Sequence, residues 1–257
     1  MSDPRETARG LGFGTVVAGV RMPFCAMNAS GSAGTTEEVR ALRRSRTGAI
    51  VLKSATVHPF VHPSFRSLHN PGFDKLLPLV RDLAADPGRP VVASIAGATV
   101  EEVGFLAKAF ADAGATIIEA NLADPYVETT LAPFESSDVL AEVARRLAAA
   151  GRPCWVKLPE RVPVPYGPLV GILLDAGVGA VVSHNDFHGY EKLMLEAPAP
   201  IDVVVVGGIA SGFDVATAIR KGAKAVQVGS ALRTEGPGVF ARLEHELRRA
   251  AGEGGPQ

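Results

Sequence analysis

The sequence predicts an α/β protein, a (β/α)8 TIM barrel with an N-terminal β-hairpin. Short apolar runs rich in β-branched residues alternate with longer segments of helical periodicity, and eight such pairs can be counted. Eight parallel strands are the number that closes such a barrel. A chain of 257 residues also has the length of this fold built as one domain. We therefore expect a single domain over residues 1–257, with flexible tails at 1–10 and 251–257.

Eight runs are predicted to form the barrel strands, because each is short, apolar and bounded by turn-forming residues. In chain order they are Phe24–Ala29, Ala49–Ser54, Val91–Ala96, Thr116–Leu122, Cys154–Leu158, Ala180–Asn185, Val203–Gly208 and Ala225–Ser230. Upstream of the first run, the segment GTVVAGVRM has the pattern of a hairpin. We expect this hairpin to close the floor of the barrel.

The segments between the strands carry helix start signals. TTEEVRALRRS begins with Thr35 or Thr36 as an N-cap and continues with glutamates in the first turn. Thr99 is predicted to cap a second helix, and Ser136 or Ser137 a third. The sixth unit leaves room, after SHNDFHG, for a helix of little more than two turns.

The composition excludes several classes of partner. The chain has 26 basic and 27 acidic residues and a net charge of −1, so no basic surface is expected to bind nucleic acid. No apolar run is long enough to span a bilayer, and the N-terminus lacks a secretory signal. We expect a cytoplasmic protein with no membrane partner. Its two cysteines, Cys25 and Cys154, are too few to hold an iron–sulfur cluster.

No metal site is predicted from the histidines. His58 and His62 are four residues apart, but the proline after each makes a helix unfavourable there. His184 and His188 follow the sixth strand without an accompanying carboxylate or cysteine pattern. We expect these two side chains to contact substrate, or to donate a proton.

Polar side chains follow the predicted strands at their carboxyl ends, where (β/α)8 barrels build their active sites. Lys53 and Lys157 each end an apolar run. A buried ammonium group is costly unless an anionic or electron-rich group meets it, so both lysines are predicted to contact a ligand. Alternatively, each reaches water or a carboxylate at the rim. The other polar residues at these ends are Asn28, Ser30, Ser54, Asn121, Asp124 and Ser183 to Asp186.

Glycines at the ends of the last two strands predict a phosphate site. Gly207 and Gly208 end the seventh strand, and Gly229 and Ser230 end the eighth. Each pair precedes a predicted helix start, so bare backbone N–H groups can approach a phosphate. The ligand would be a phosphorylated cofactor or substrate. The alternative is that these glycines only form tight turns.

Seven motifs, in order along the chain, are MNASG, IVLKS, SIAG, EANLADP, WVKLP, GGIASGFDVATAIRKGAKAVQVGSAL and EGPGVF. Together they resemble the dihydroorotate dehydrogenase family, in its soluble, FMN-dependent class 1. The resemblance covers nearly the whole chain. It implies an FMN-binding barrel that passes hydride between a substrate carbon and flavin N5.

The resemblance also assigns residues. It implies that Lys157 lies by the N1/O2 edge of the flavin ring, where a cation stabilises the anionic reduced form. The implied cofactor contacts are Ala29, Ser30, Gly31, Lys53, Ser54, Asn121, Lys157, Ser183, Gly207, Gly208, Gly229 and Ser230. The expected substrate contacts are Asn28, Ser64, Asn121, Asn185 and His188.

Three positions depart from the family pattern in the substrate half of the site. Asp124 replaces the cysteine or serine that serves the family as general base, and Tyr126 replaces a substrate asparagine. A further asparagine, expected after the second strand, aligns with Ser64. An ionised Asp124 about 6 Å from the carboxylate of dihydroorotate would oppose it by roughly 3 kcal/mol at an effective dielectric of about 20. Unless Asp124 is protonated or paired, a substrate other than dihydroorotate is expected.

Asp124 is the predicted acid/base, because dehydrogenation across two carbons needs a proton acceptor on the face opposite the flavin. Lys53 is predicted to be a second catalytic residue. Tyr126 is predicted to contact substrate or to be the alternative proton donor, a role also open to His184. The other interpretation is that Asp124 only caps the following turn or helix, with Pro125 fixing the turn.

The functional hypothesis is therefore an FMN-dependent oxidoreductase that interconverts CH–CH and C=C bonds in a small ring substrate. A soluble electron acceptor or a reductase partner would complete the cycle, and a homodimer is expected from the resemblance. One alternative is a flavin-free lyase or isomerase that uses Lys53 or Lys157 as a Schiff base. Another is a flavin-binding protein without catalysis.

Overall fold

An antiparallel hairpin and a barrel of eight parallel strands form the centre of the protein in the computed structural model. The structure describes residues 13–64, 68–85, 88–130, 136–159, 162, 165–183, 189–196 and 200–252. The hairpin strands are β1 (Thr15–Val17) and β2 (Val20–Met22). The barrel strands are β3 (Ala26–Asn28), β4 (Ile50–Val51), β5 (Val91–Ile95), β6 (Ile117–Asn121), β7 (Cys154–Lys157), β8 (Ala180–Val182), β9 (Asp202–Val206) and β10 (Ala225–Val228). Each overlaps one predicted strand, so the predicted (β/α)8 barrel is confirmed.

Helices follow the strands and cover the barrel. They are α1 (Thr36–Arg43), α2 (Phe73–Ala84), α3 (Val100–Asp112), α4 (Pro125–Thr130), α5 (Ser137–Ala148), α6 (Tyr166–Asp175), α7 (Gly189–Glu196), α8 (Gly212–Arg220), α9 (Ser230–Glu235) and α10 (Val239–Ala250). Thr35 caps α1 in a capping box with Glu38, and the Thr99 and Ser136 side chains cap α3 and α5. The helix of the sixth unit, α7, has eight residues, in agreement with the predicted two turns.

The barrel closes between β3 and β4 through a side chain. The Asn28 amide donates to Val51 O at 2.6 Å and its Oδ1 accepts from Val51 N at 2.9 Å. Gly48 N also donates to Ala26 O at 2.8 Å. A Cβ on Gly48 would lie 1.8 Å from the carbonyl oxygen of Phe24, so only glycine permits this approach of the two chain segments.

The hairpin plugs one end of the barrel, as predicted. Val17 and Met22 are fully buried and belong to the same apolar cluster as Met27, Val51 and Trp155 inside the barrel. A second, larger cluster fills the layer between the strands and the helices. With the amino end filled by the hairpin, the carboxyl ends of the strands form the polar mouth.

The chain termini fall partly outside the described residues. Of the predicted flexible tails, residues 1–10 and 253–257 lie outside, while 251 and 252 form a turn after α10. Among the described helices, none is long and apolar enough to cross a membrane.

Candidate active site

Four of the predicted site residues come together at the carboxyl ends of β4, β6 and β7. Successive side chains of a strand alternate between the two faces of the sheet, and β6 pairs Asn121 with Lys157 of β7. Asn121 and Lys157 are buried, at 6 % and 5 % exposure. Lys53 and Asp124 interact electrostatically with each other, and Asp124 also acts on Lys157. The predicted gathering of two lysines, an amide and an acid at the mouth is therefore present.

A network of hydroxyl and amide groups connects Ser54, Ser94 and Asn121. Asn121 Nδ2 donates to Ser54 Oγ at 2.9 Å, and the Ser54 and Ser94 hydroxyls are 3.0 Å apart. All three side chains are buried. Ser94 was not among the predicted residues, although its position on the interior face of β5 could have indicated it. A satisfied buried network of this kind fixes its side chains in place, so Ser54 and Asn121 form a rigid part of the mouth.

Asp124 is buried at the edge of this network, at 6 % exposure. Its Oδ1 accepts from Asn70 Nδ2 at 2.9 Å and from the Tyr126 N–H at 3.1 Å. The second bond caps α4, as one of the two interpretations predicted. Burial raises the pKa of Asp124, while the bonds from Tyr126 N–H and Asn70, and the charge of Lys53, act in the opposite direction. Asp124 is thus both a cap and a buried, polarised acid at the mouth.

Asn70 reaches Asp124 because the loop after β4 folds back on itself. Phe60 and Asn70 form an antiparallel bridge, with backbone bonds of 2.9 and 2.8 Å. This bridge brings the Asn70 side chain to the carboxyl end of β6, where it is 3 % exposed. Ser64, the predicted substrate contact from this loop, is exposed, and its N–H donates to His62 Nδ1 at 3.1 Å. A substrate contact from Ser64 stays a prediction, while Asn70, which was not predicted, is the side chain of this loop that reaches Asp124.

The Tyr126 side chain contacts Glu102 and Phe60. Its hydroxyl donates to the Glu102 carboxylate, at 3.4 Å from each oxygen, and its ring packs 5.2 Å from the Phe60 ring. Burial raises the pKa of the Tyr126 hydroxyl, and the negative charge of Glu102 raises it further. A phenol held in this way is a poor proton donor. The geometry therefore favours Asp124 over Tyr126 as the acid/base.

Lys157 is a buried cation that, among the described residues, makes one long hydrogen-bonding contact. Its Nζ lies 3.5 Å from Ser30 Oγ, a long contact. Burial lowers the pKa of Lys157, whereas Glu119 and then Asp124 raise it. Lys53 shows the same pattern, with burial lowering its pKa and Asp124 and Glu38 opposing. Two partly desolvated ammonium groups at one mouth favour an electron-rich ligand near them.

The end of β9 carries two consecutive glycines in left-handed conformation. Gly207 and Gly208 have φ of 99° and 68°, which side chains with a Cβ rarely adopt. Gly208 is exposed, and so is Ser230 at the start of the short helix α9. Arg233 adds a cation here, since its Nη2 donates to Ser230 Oγ at 3.2 Å. These features match the phosphate site that barrels build after their last two strands and at an extra short helix.

The start of α8 is not part of this phosphate site. The Asp214 carboxylate accepts from Ala210 N and Ser211 N, at 3.0 and 2.7 Å. The Glu246 carboxylate accepts from Gly212 N at 2.7 Å. These two acids satisfy the amides that a phosphate would otherwise use. Of the two helix starts that the sequence indicated, only the one at α9 is therefore suited to an anion.

Two predicted site residues lie in the barrel wall. Asn28 is fully buried, and its amide is used by Val51 and by Ser32 Oγ, at 3.0 Å from the latter. A substrate contact from Asn28 is not supported by this geometry, because its side chain closes the barrel. Ser183 is 2 % exposed and its Oγ accepts from Val206 N at 3.0 Å. A cofactor contact from Ser183 stays a prediction.

Three further predictions, for His184, Asn185 and His188, lie outside the described residues. Among the residues that are described, no three histidine, cysteine, aspartate or glutamate side chains cluster as metal ligands. A cavity of about 600 Å³ opens at the opposite end of the barrel, between the hairpin and β5, with Arg21 and Arg89 in its lining. It contains none of the predicted site residues.

The residues at the mouth fit FMN. Gly207, Gly208 and the start of α9 suit a phosphate, as shown above. Gly31, at φ 98°, is exposed beside Ser30 and allows a flat ligand to approach the backbone. Lys157 supplies a buried cation whose only close polar contact described is the long one to Ser30. An electron-rich ring edge at Lys157 and an anion at the glycines would satisfy both features with one ligand.

The comparisons with known proteins agree with this geometry. A family profile described as dihydroorotate dehydrogenase matches residues 191–250. The dihydroorotate dehydrogenase (fumarate) of Trypanosoma cruzi is 32 % identical over 279 aligned positions, which cover 88 % of this chain and 88 % of that protein. The structure of a DHODH from Eimeria tenella in complex with ferulenol superposes with a TM-score of 0.80 over 94 % of this chain and 85 % of that one, at 14 % identity, and supports the fold. Because the identity to the trypanosomal protein extends over most of both chains, the chain belongs to the dihydroorotate dehydrogenase family, whose class 1 members are FMN-dependent oxidoreductases acting on CH–CH bonds.

Proposed function

We propose that the chain interconverts CH–CH and C=C bonds in a small ring substrate at FMN, with Asp124 as the acid/base. FMN supplies the acceptor or donor of the hydride. The residues of this chain then have separate tasks. Lys157, the glycines and the start of α9 hold the cofactor, Ser54 and Asn121 shape the mouth, and Asp124 moves the proton.

The observation that carries the proposal is the environment of Asp124. The carboxyl group is 6 % exposed and is held by Asn70 and by the Tyr126 N–H. Burial raises its pKa, which brings an aspartic acid closer to the working range of a general acid or base. Lys53 lies near enough to stabilise the carboxylate when it forms. A capping aspartate without catalytic use would not need burial among these groups.

The pairing of Asp124 also bears on the substrate. The objection to dihydroorotate holds for an ionised, unpaired carboxylate, whereas this one accepts a hydrogen bond from Asn70 and faces the charge of Lys53. We therefore propose a dihydropyrimidine as the substrate, in keeping with the name of the trypanosomal relative. Lys53 offers a cation for a substrate carboxylate, so dihydroorotate is the first compound to test.

The test is anaerobic stopped-flow reduction of the bound flavin. Dihydroorotate is compared with 5,6-dihydrouracil, which has the same ring without the carboxylate. Bleaching of the flavin by either compound supports the proposal, and the faster of the two shows whether the site prefers the anion. If neither compound bleaches the flavin, and neither orotate nor uracil reoxidises the reduced protein, the proposed substrate class is wrong.

We propose a soluble electron acceptor and self-association as the remaining features. Fumarate is the first acceptor to test, because it appears in the name of the trypanosomal relative. Reoxidation of the reduced protein by fumarate, without other proteins, would support this, and no reoxidation would point to a reductase partner. Light scattering on a size-exclusion column measures the oligomeric state, and a monomer at all concentrations would refute self-association.

A further inference from the structure

Glu119 and Gln227 lie inside the barrel, below the polar mouth. Both side chains are 0 % exposed, and Gln227 Nε2 donates to Glu119 Oε2 at 2.6 Å. β6 and β7 pair Asn121 with Lys157 and Glu119 with Trp155. Glu119 therefore lies one layer of side chains below Asn121 and Lys157, on the same interior face. The acid/base chemistry proposed above uses neither Glu119 nor Gln227.

Glu119 is an incompletely satisfied buried acid. Within the described part of the chain, neither its Oε1 nor the Oε1 of Gln227 has a hydrogen-bond partner. The Ser94 and Ser30 hydroxyls favour the anion from nearby, but they do not reach Oε1 in hydrogen-bonding geometry. Buried polar groups are normally paired. A carboxyl group kept at this position without full pairing requires an explanation other than packing.

Lys157 is the charge partner of this acid. Burial raises the pKa of Glu119, and the positive charge of Lys157 is the largest effect that opposes it. In the other direction, burial lowers the pKa of Lys157, and Glu119 is the first of the two acids that raise it. Asp124 is the second. Each of the two buried groups therefore favours the ionised form of the other.

We propose that Glu119 is a positioning residue that sets, through Lys157, how strongly the site prefers reduced over oxidised FMN. The inference rests on the proposed placement of Lys157 beside FMN. An ionised Glu119 cancels part of the positive potential that Lys157 presents to the mouth, whereas a neutral side chain leaves that potential whole. Because reduced FMN carries more negative charge than oxidised FMN, the uncompensated lysine favours the reduced form.

The experiment compares wild-type holoprotein with Glu119→Gln, which removes the charge and keeps the shape and an acceptor for Gln227. The dissociation constant of oxidised FMN is measured by fluorescence, and the midpoint potential by anaerobic dye titration, from mildly acid to mildly alkaline pH. Where Glu119 is ionised in the wild type and Lys157 is charged in both proteins, we expect a higher ratio in the variant. The ratio of the dissociation constants of oxidised and reduced FMN should rise at least about tenfold, or about 30 mV for a two-electron couple. Towards acid pH the ratios of the two proteins should converge, since Glu119 of the wild type then gains its proton. A plot of this ratio against pH that runs parallel in the two proteins over the whole range would overturn the proposal.

Matched variants separate the possible failures. Glu142→Gln removes an exposed carboxylate on α5, where it pairs with Arg145 and Arg146, and should keep the wild-type ratio. Lys157→Met should lower the ratio, and Glu119→Gln should have no further effect in that background. An unchanged ratio in Lys157→Met would show that the placement of FMN is wrong. A lowered ratio there, with no effect of Glu119→Gln alone, would refute only the role of Glu119.

A second substitution serves if Glu119→Gln does not fold. Glu119→Asp keeps the acid but withdraws it from Lys157 by one methylene. We expect it to retain the pH dependence and to raise the ratio by less than Glu119→Gln. Values equal to wild type at every pH would contradict the proposal.

Discussion

Replacing Asn70 by alanine removes the side-chain amide that holds Asp124. The backbone bridge between Phe60 and Asn70 does not involve the side chain, so the loop is expected to keep its course. Asn70 donates at 2.9 Å to a buried carboxyl group and thereby lowers its pKa, against the larger effect of burial. Without Asn70 the pKa of Asp124 rises further, and the group stays protonated to higher pH.

The magnitude follows from the hydrogen bond that is lost. A hydrogen bond to a charged group contributes about 1.5–3 kcal/mol, and each 1.36 kcal/mol corresponds to a factor of ten. Asp124 must be ionised to accept a proton, so the acid limb of the pH profile for substrate oxidation should move to higher pH. At a fixed pH on that limb the rate should fall roughly ten- to a hundredfold. At high pH, where Asp124 is ionised in both proteins, the rates should approach each other.

The assay is the rate of flavin bleaching in anaerobic stopped flow, measured over a pH series with saturating substrate. Val61→Ala is the matched control from the same loop, because Val61 is 68 % exposed and is not among the predicted site residues. It should reproduce the wild-type profile. Superimposable profiles for Asn70→Ala and wild type would refute the reasoning, since they would show that the 2.9 Å contact does not control the proton acceptor.

Four further substitutions test other parts of the structure. Asp124→Asn should retain FMN and slow flavin reduction by roughly 10²- to 10⁴-fold, as expected for loss of a general base. Tyr126→Phe should change the same rate by less than about threefold, far below the effect of losing a general acid or base, because its hydroxyl binds Glu102. Gly48→Ala should lower the free energy of unfolding by more than about 4 kcal/mol in denaturant titration, since its Cβ would lie 1.8 Å from a carbonyl oxygen. Arg233→Ala should weaken FMN binding in a salt-dependent way, measured by fluorescence.

Each of these substitutions has its own control or refuting result. Wild-type flavin reduction in Asp124→Asn would exclude the acid/base role, and a large loss in Tyr126→Phe would transfer that role to the phenol. Gly171→Ala is the control for Gly48→Ala, because a Cβ on Gly171 meets no atom within 4 Å. It should be neutral or slightly stabilising in α6. An FMN affinity of Arg233→Ala equal to that of wild type, at both low and high salt, would remove Arg233 from the phosphate site.

Several features of the site were predictable because the signals are local. The end of a β-branched run and the glycines that follow it mark the mouth of a barrel, so Lys53, Lys157 and the pair Gly207 and Gly208 could be found by position. The cap on α4 was predictable too, because Asp124 and the amide it accepts from are two residues apart. The place of Asn28 in the barrel wall was not predictable, since a one-residue change of register at the end of a strand moves a side chain from the mouth to the wall.

Sequence alone determined the order of strands and helices, the hairpin that plugs the barrel and the polar end where the chemistry lies, because periodicity, capping and turn residues act over a few positions. Only the tertiary structure decided which polar groups meet. Asn70 reaches Asp124 through a bridge with Phe60, and Gln227 meets Glu119 from 108 positions away. Contacts of this kind depend on how a loop folds back and how a barrel closes, and neither is encoded in the spacing of the residues that take part.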